Sequence, residues 1–200
     1  MPIYLQQQAQ IRYAQGQYAD AYQIYDQLTH SDLRSADIFF AASQCKAQLG
    51  ESDQQLALLD SAVAQFSRPY VITAAPYLLA RAQALYNNGK YRLSVNDYNE
   101  YAQLMETQLK APFYYQRELA EVGGHLYQQA LNDINKAIEL EPAEPTYYGE
   151  KASLQIRVGM HKEAIETAQQ LIRLSPEQSD GYLFLNRRSE ERRVGKECRS

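Results

Sequence analysis

The three histidines are the residues of this sequence most suited to metal binding or proton transfer, and they are scattered along the chain. His30, His125 and His161 include no pair at the i, i+4 spacing that places two metal ligands on one helix face. His30 lies at the end of a predicted helix, and the other two lie in predicted turns between helices. We therefore interpret all three as surface histidines and predict no metal site.

The sequence also gives little indication of a catalytic nucleophile or of a phosphate-binding loop. Cys45 lies on a predicted core-facing helix, and no histidine is placed to act as its base. No Gly-x-Ser-x-Gly motif, phosphate loop or dinucleotide fingerprint occurs. The segment Asn87-Asn88-Gly89-Lys90 has the composition of a phosphate-binding turn, but Gly89 falls at a turn position of the repeat described below. We predict no catalytic residue, no cofactor and no enzymatic activity.

Composition and charge exclude two classes of partner. The 200 residues are 45% hydrophobic and carry a net charge of −4, which argues against a nucleic-acid surface. No apolar run is long enough to span a bilayer. The first residues show no basic segment followed by an apolar stretch, so we expect the cytoplasm by default. A periplasmic or cell-envelope location is the alternative, if the chain begins inside a longer product.

A repeat of 34 residues organises the chain, and it is clearest in residues 126–176. Two copies of one pattern of small and apolar residues run from Tyr127 to Pro142 and from His161 to Pro176. Residues three and four apart share a helix face, a glycine such as Gly159 supports the left-handed turn that ends a helix, and a proline stops the next helix. Each copy therefore predicts two helices joined by a tight turn. Such a pair buries both of its faces only by stacking on its neighbours.

An earlier segment carries the same pattern and resembles a known family. Gly16, Tyr18, Ala21, Tyr25 and Leu28 form Gly-x-Tyr-x-x-Ala-x-x-x-Tyr-x-x-Leu, which is similar to the core of a tetratricopeptide repeat (TPR) of bacterial type. The resemblance implies an all-α solenoid of five helix pairs and a truncated sixth pair, wound into a right-handed superhelix.

The repeat boundaries follow from the period, and two repeats depart from the pattern. We place the repeats in one solenoid domain, residues 1–187, at 2–34, 35–68, 75–110, 111–143 and 144–177, with a partial sixth at 178–187. The second helix of the third repeat is expected to continue to Lys110. In the fourth repeat Arg117 and Glu118 replace an apolar and a small residue, and the turn glycine comes one position early. We therefore expect a distorted first helix over residues 112–122.

Residues 188–200, RSEERRVGKECRS, break the pattern. They contain no aromatic residue and no periodic apolar residue, and they resemble the translation of a sequencing-adapter oligonucleotide. We expect this segment to be an artefact that contributes nothing to the fold or the function.

The resemblance also indicates a binding surface, because ligand peptides of the family lie along a concave groove lined by the first helices. Aligning the repeats assigns three sets of residues to shared groove positions: Gln10, Gln44 and Gln83; Tyr13 and Tyr86; Phe40 and Tyr115. Amides can hydrogen-bond an extended backbone, and aromatic rings can pack against its side chains. The alternative is a glutamine-rich face that contacts only solvent.

The predicted function is a non-enzymatic scaffold that binds a protein or peptide, as yet unidentified, in this groove. It is not the subtype that clamps chaperone C-termini, because Gln6, Gln10, Ala41, Pro76 and Ala80 stand where that subtype has lysine, asparagine and arginine. The alternative function is recognition of a small ligand, a glycan or a signalling peptide, by the helical repeats of a cell-envelope protein.

Overall fold

A computed structural model describes residues 2–176, of which the side chains of residues 2 and 3 are not described. This part of the chain is all-α, with no strand, as predicted. It consists of ten α-helices and one 3₁₀ turn at Ile72–Ala74: α1 (Pro2–Ala14), α2 (Tyr18–Thr29), α3 (Ala36–Gln48), α4 (Ser52–Val63), α5 (Ala75–Asn87), α6 (Tyr91–Met105), α7 (Ala111–Gly123), α8 (Tyr127–Leu140), α9 (Pro145–Arg157) and α10 (His161–Leu174). The five predicted helix pairs are confirmed. The truncated sixth pair and the predicted artefact at 188–200 lie outside the described residues.

The turn inside each pair needs a left-handed residue. Gly16, Gly50, Gly89 and Gly159 have φ between 70° and 80°, where a residue with a Cβ is strained. In the fourth repeat the same place is taken by His125, with φ 62°. Histidine is one of the residue types that tolerate this region, so the turn closes without its glycine.

Several helices begin at residue types that favour a helix N-terminus. The Ser35 hydroxyl accepts a hydrogen bond from the Ile38 amide and caps α3. A proline occupies the first turn of α5, α7 and α9, where its missing N–H leaves no bond unmade.

The helices form two compact units, the N-terminal unit Met1–Gln108 and the C-terminal unit Leu109–Ser200. In the N-terminal unit each of α1 to α5 packs against the helix that follows it, and in the C-terminal unit each of α7 to α9 does the same. The expectation that α6 continues to Lys110 is wrong, because α6 ends at Met105. Glu106 has φ 8° and ψ −62°, which leaves the helical region, and Lys110 is extended so that α7 begins at the next residue.

Small residues close each helix pair. Ala9 and Ala21 are fully buried in the first pair. In the third pair Ser94 faces Ala82, and its hydroxyl donates to the Ala82 carbonyl at 2.7 Å. Ala130 on α8 is likewise fully buried. A larger side chain at these positions would separate helices that pack at crystal-like density.

The expectation of a distorted first helix in the fourth repeat is also wrong. α7 is an unbroken α-helix of 13 residues. The Arg117 guanidinium makes two hydrogen bonds to the Asp133 carboxylate on α8, at 2.6 and 2.8 Å, so its charge is matched where an apolar residue was expected. Glu118 stays in the helix and is fully buried. The backbone of α7 thus stays helical although Arg117 and Glu118 differ from the residue types of the repeat pattern.

Candidate functional site

The three predicted glutamines occupy equivalent places in the N-terminal unit. Gln10 lies on α1, Gln44 on α3 and Gln83 on α5, each six residues before the left-handed glycine of its own pair. Gln10 and Gln44 are exposed, and Gln83 is exposed as well. Equal spacing from the turn gives them the same rotation about their helices, so α1, α3 and α5 present them in the same way. We call the exposed face of these three helices the first-helix surface.

Tyr13 and Tyr86 also share a register position, three residues before the turn glycine. Each ring makes an edge-to-face contact with a tyrosine at the start of the next helix, Tyr13 with Tyr18 at 5.2 Å and Tyr86 with Tyr91 at 5.6 Å between ring centres. Both rings are half-buried, so they help to close the hairpins as well as facing solvent.

Phe40 links two first helices. Its half-buried ring meets the Tyr77 ring of α5 edge-on at 5.7 Å, and it packs against Leu59 and Leu85. In the C-terminal unit, Tyr115 on α7 makes the corresponding contact with Tyr147 on α9, at 5.3 Å. Both residues therefore join successive first helices of their own unit. Six of the seven predicted site residues lie in the N-terminal unit, and Tyr115 lies in the C-terminal unit.

A family model for the tetratricopeptide repeat matches residues 7–68, which extend from the middle of α1 to the end of α4 and include the turns of the first two pairs. Residues 7–68 therefore belong to the tetratricopeptide repeat family. The matched range includes Gly16, Gly50 and the glutamine positions of α1 and α3.

Two solved structures support the fold of this TPR chain. YrrB, a TPR protein with an unusual peptide-binding site, superposes with a TM-score of 0.78 at 12% identity, covering 91% of this chain and 90% of YrrB. The MamA 41-end structure from Desulfovibrio magneticus RS-1 superposes with a TM-score of 0.73 at 18% identity, covering 88% of this chain and 96% of that one. At these identities the likeness extends to the fold alone.

A curated relative shares sequence with half of the TPR chain. The serine/threonine-protein phosphatase T of Trypanosoma brucei brucei (strain 927/4 GUTat10.1) is 28% identical over 109 residues, which are 54% of this chain. The match spans only 22% of the phosphatase's length.

The TPR pattern did not reveal two buried carboxyl groups in the C-terminal unit. Glu118 and Glu121 on α7 are 0% and 4% exposed, and three of their four carboxyl oxygens have no hydrogen-bond partner. Burial raises the pKa of each to about 8, with further increases from Glu150 and Asp133 at Glu118 and from Asp133 at Glu121. The repeat register does place Glu118 at a small-residue position, and that mismatch was the available signal.

In the described part of the chain, the three histidines and Cys45 do not assemble into a chemical site. Cys45 is fully buried, and burial raises the pKa of its thiol to about 11, which disfavours the reactive thiolate. His30 is hydrogen-bonded to the Asp26 carbonyl, His125 to the Tyr127 hydroxyl, and His161 is the first residue of α10. Within residues 2–176, no group of three or more His, Cys, Asp or Glu side chains is arranged to hold a metal ion. In the same range, none of the helices has the length and apolar character needed to cross a bilayer.

Proposed function

We propose that this chain is a non-enzymatic scaffold whose first-helix surface binds an extended segment of a partner protein. The observation that carries the proposal is the placement of Gln10, Gln44 and Gln83 at one register position of α1, α3 and α5, where all three reach solvent. Helices related by the repeat present such side chains at regular intervals, and an extended peptide offers its backbone groups at regular intervals too.

The chemistry of these side chains suits a peptide backbone. Each glutamine amide has both donor and acceptor groups, so one row of them can pair with the N–H and C=O groups of an extended chain. The half-buried rings of Tyr13, Phe40 and Tyr86 supply apolar area next to this row. They are held by neighbouring rings, so their contribution to binding requires little further ordering. We assign Tyr115 the corresponding role in the C-terminal unit.

The charge of the chain favours one class of peptide. A net charge of −4 repels acidic ligands, so the partner segment is neutral or basic. The fold shared with YrrB supports a peptide rather than a nucleotide or metabolite as the ligand, because that TPR protein has a peptide-binding site.

The test compares two triple variants in a selection of peptides from a random displayed library. Gln10→Ala/Gln44→Ala/Gln83→Ala removes only amides that reach the surface, so folding should be unaffected. The matched control, Gln23→Ala/Gln27→Ala/Asn96→Ala, removes three amides from α2 and α6 instead.

We expect the peptides selected by the wild type to be neutral or basic, to bind the control variant equally well, and to bind the first-helix variant at least about tenfold more weakly. Equal affinity for both variants would exclude the first-helix surface as the binding site. A pool dominated by acidic peptides would contradict the charge argument.

A further inference from the structure

An open pocket of about 390 Å³ lies in the first two repeats, between α2, α3 and α4. Phe39 and Leu58 supply its apolar lining, together with the ring of Tyr22. Asp26, His30 and Gln54 supply polar groups. The volume is within the range of pockets that bind small ligands or single side chains. None of the glutamines and aromatic residues assigned to the first-helix surface lines it.

The pocket exists because α4 departs from the other second helices at two places. Seven residues after the turn residue, α4 has Ala57, whereas the other second helices have longer polar residues: Gln23, Asn96, Asn132 and Glu166. Eleven residues after it, α4 has Ser61, whereas the others have Gln27, Glu100, Lys136 and Gln170. Ala57 and Ser61 both line the pocket. Two short side chains therefore leave open the space that longer ones would fill.

The hydrogen-bond donors of the pocket are mostly used internally. The Tyr22 hydroxyl donates to the Asp26 carboxylate at 3.2 Å, and the Ser61 hydroxyl donates to the Ala57 carbonyl at 3.0 Å. The Nδ1 atom of His30 lies 2.8 Å from the Asp26 carbonyl, which can only accept, so Nδ1 carries the hydrogen.

Of the groups that remain, the Gln54 amide can both donate and accept hydrogen bonds, and the one permanent charge, on Asp26, is negative. The Asp26 side chain is 45% exposed, and no lysine or arginine lines the pocket. Lys46 lies over the Tyr22 ring at 3.8 Å, but its ammonium is paired with Glu51 at 2.8 Å. A ligand that fits this arrangement brings hydrogen-bond donors, a positive charge and an apolar body.

We propose that this pocket binds a guanidinium or ammonium group carried on an apolar stem, with the cation at Asp26 and the stem against Phe39 and Leu58. Arginine has this chemistry, either as a free small molecule or as a side chain of a partner protein. A guanidinium can donate charge-assisted hydrogen bonds to the Asp26 carboxylate, which the neutral isostere citrulline does less well.

The experiment is an NMR titration of the ¹⁵N-labelled full chain with N-acetyl-arginine N-methylamide and with the citrulline analogue of the same length. We expect the arginine probe to shift the amide signals of α2 and α4, and the citrulline probe to bind at least about tenfold more weakly. Equal affinity of the two probes, or no shift by the arginine probe up to its solubility limit, would overturn the proposal. A peptide with arginine in its middle distinguishes the sources, because tighter binding than the small probe indicates a partner side chain and equal binding indicates a free small molecule.

Three variants locate the site. Ala57→Gln/Ser61→Gln restores the longer side chains of the other repeats and should abolish the shifts by filling the pocket. Asp26→Asn keeps the shape and the acceptor for Tyr22 but removes the charge, and it should weaken arginine binding at least about tenfold. Asp53→Asn removes an exposed carboxylate of α4 outside the pocket and should leave the affinity unchanged.

An unchanged affinity in the filled variant would show that the probe binds elsewhere. Thermal unfolding of each variant, followed by circular dichroism, checks that the helices remain intact. The first-helix variant Gln10→Ala/Gln44→Ala/Gln83→Ala should bind the arginine probe like the wild type, so failure of one proposal is distinguishable from failure of the other.

Discussion

The buried carboxyl groups of α7 should make the stability of the C-terminal unit depend on pH. Glu118 and Glu121 lack hydrogen-bond partners for most of their oxygens, and Asp133 on α8 and Glu150 on α9 add negative charge nearby. The positive charge of Arg117 opposes the rise of the pKa at Glu121, but its guanidinium is already bonded to Asp133. Ionisation in this environment is costly, which is why the pKa of each buried carboxyl rises from 4.5 to about 8.

The direction of the effect follows from proton binding. Between pH 4.5 and about 8 the folded protein holds a proton on Glu118 that the unfolded chain has lost. The free energy of unfolding therefore falls as pH rises through this window. The stabilisation that comes from the protonated Glu118 is fully present only below pH 4.5. The displacement of one carboxyl pKa corresponds to about 5 kcal/mol of unfolding free energy across the window. The two carboxyls repel each other, so their contributions do not simply add.

The assay compares wild type and Glu118→Gln by urea denaturation at pH 5.5, 7 and 8.5, monitored by tyrosine fluorescence and circular dichroism. The amide keeps the shape but cannot ionise, so we expect the variant to become more stable than the wild type as pH rises. The difference between the two proteins should change by about 1 to 1.4 kcal/mol per pH unit, and subtraction cancels the other titrating groups. Hydrogen exchange of α7 and α8 assigns the change to the C-terminal unit.

Glu166→Gln provides the control, because Glu166 is an exposed carboxylate of α10 in the same unit. Its pH dependence should match that of the wild type. Parallel pH profiles for wild type and Glu118→Gln, or a carboxyl ¹³C titration of Glu118 with a midpoint near 4.5, would refute the reasoning.

Four further substitutions test the packing, one turn and a buried ion pair, each by its denaturation midpoint. Ala130→Leu should cost about 1–3 kcal/mol, because a fully buried small position has no room for the larger side chain. Gly159→Val should cost about 1–2 kcal/mol through backbone strain alone, since φ is 80° and no atom lies within 4 Å of an added Cβ. Asp97→Asn leaves the charge of Arg81 poorly matched and should cost about 3 kcal/mol, whereas Asp60→Asn, at the exposed partner of the same arginine, should cost under about 1 kcal/mol. Unchanged midpoints for the first two would show that the repeat register is wrong, and equal costs for the two aspartates would contradict the burial argument.

The fold was predictable because the repeat period constrains every element at once. Spacing of small and apolar residues identifies helix faces, and the left-handed glycines identify the turns. A single repeat is weak evidence for a fold. The same positions recur from Gly16 to Gly159, however, and this recurrence is consistent only with stacked helix pairs. The glutamine register depends only on the distance from each glutamine to its turn, so the amino-acid sequence is sufficient to assign it.

The wrong expectation for α7 arose because a distant residue compensates for a local departure from the repeat pattern. Arg117 and Glu118 were expected to distort α7, but Asp133 lies 16 residues later on the facing helix and matches Arg117. The same spacing links Arg81 to Asp97, with the same two donor–acceptor distances of 2.6 and 2.8 Å. The two pairs were therefore visible in the sequence as a repeated arginine and aspartate. A rule that treats each position alone cannot see them.

The candidate site was only partly accessible to sequence reasoning, for a related reason. Register gives the helix face of Tyr13 and Phe40, but it does not give the neighbouring rings that hold them half-buried. The pocket at Asp26 depends on the small side chains of Ala57 and Ser61. No sequence motif marks a space that is open because the side chains around it are small.

Positions that follow the repeat pattern and positions that break it have different physical roles in this chain. Pattern residues such as Ala21 and Leu59 are fully buried and fixed by packing, so every tetratricopeptide repeat needs something like them and none distinguishes one chain from another. Specificity has to come from positions that packing leaves open. The short side chains of α4 cost little stability because they lie at the surface, and they open a pocket found between α2, α3 and α4.

The buried Glu118 breaks the repeat pattern at a cost in stability, and such a cost persists only where something offsets it. Comparing each residue with its equivalents in the other repeats of the same chain is therefore a direct way to find functional candidates in a repeat protein.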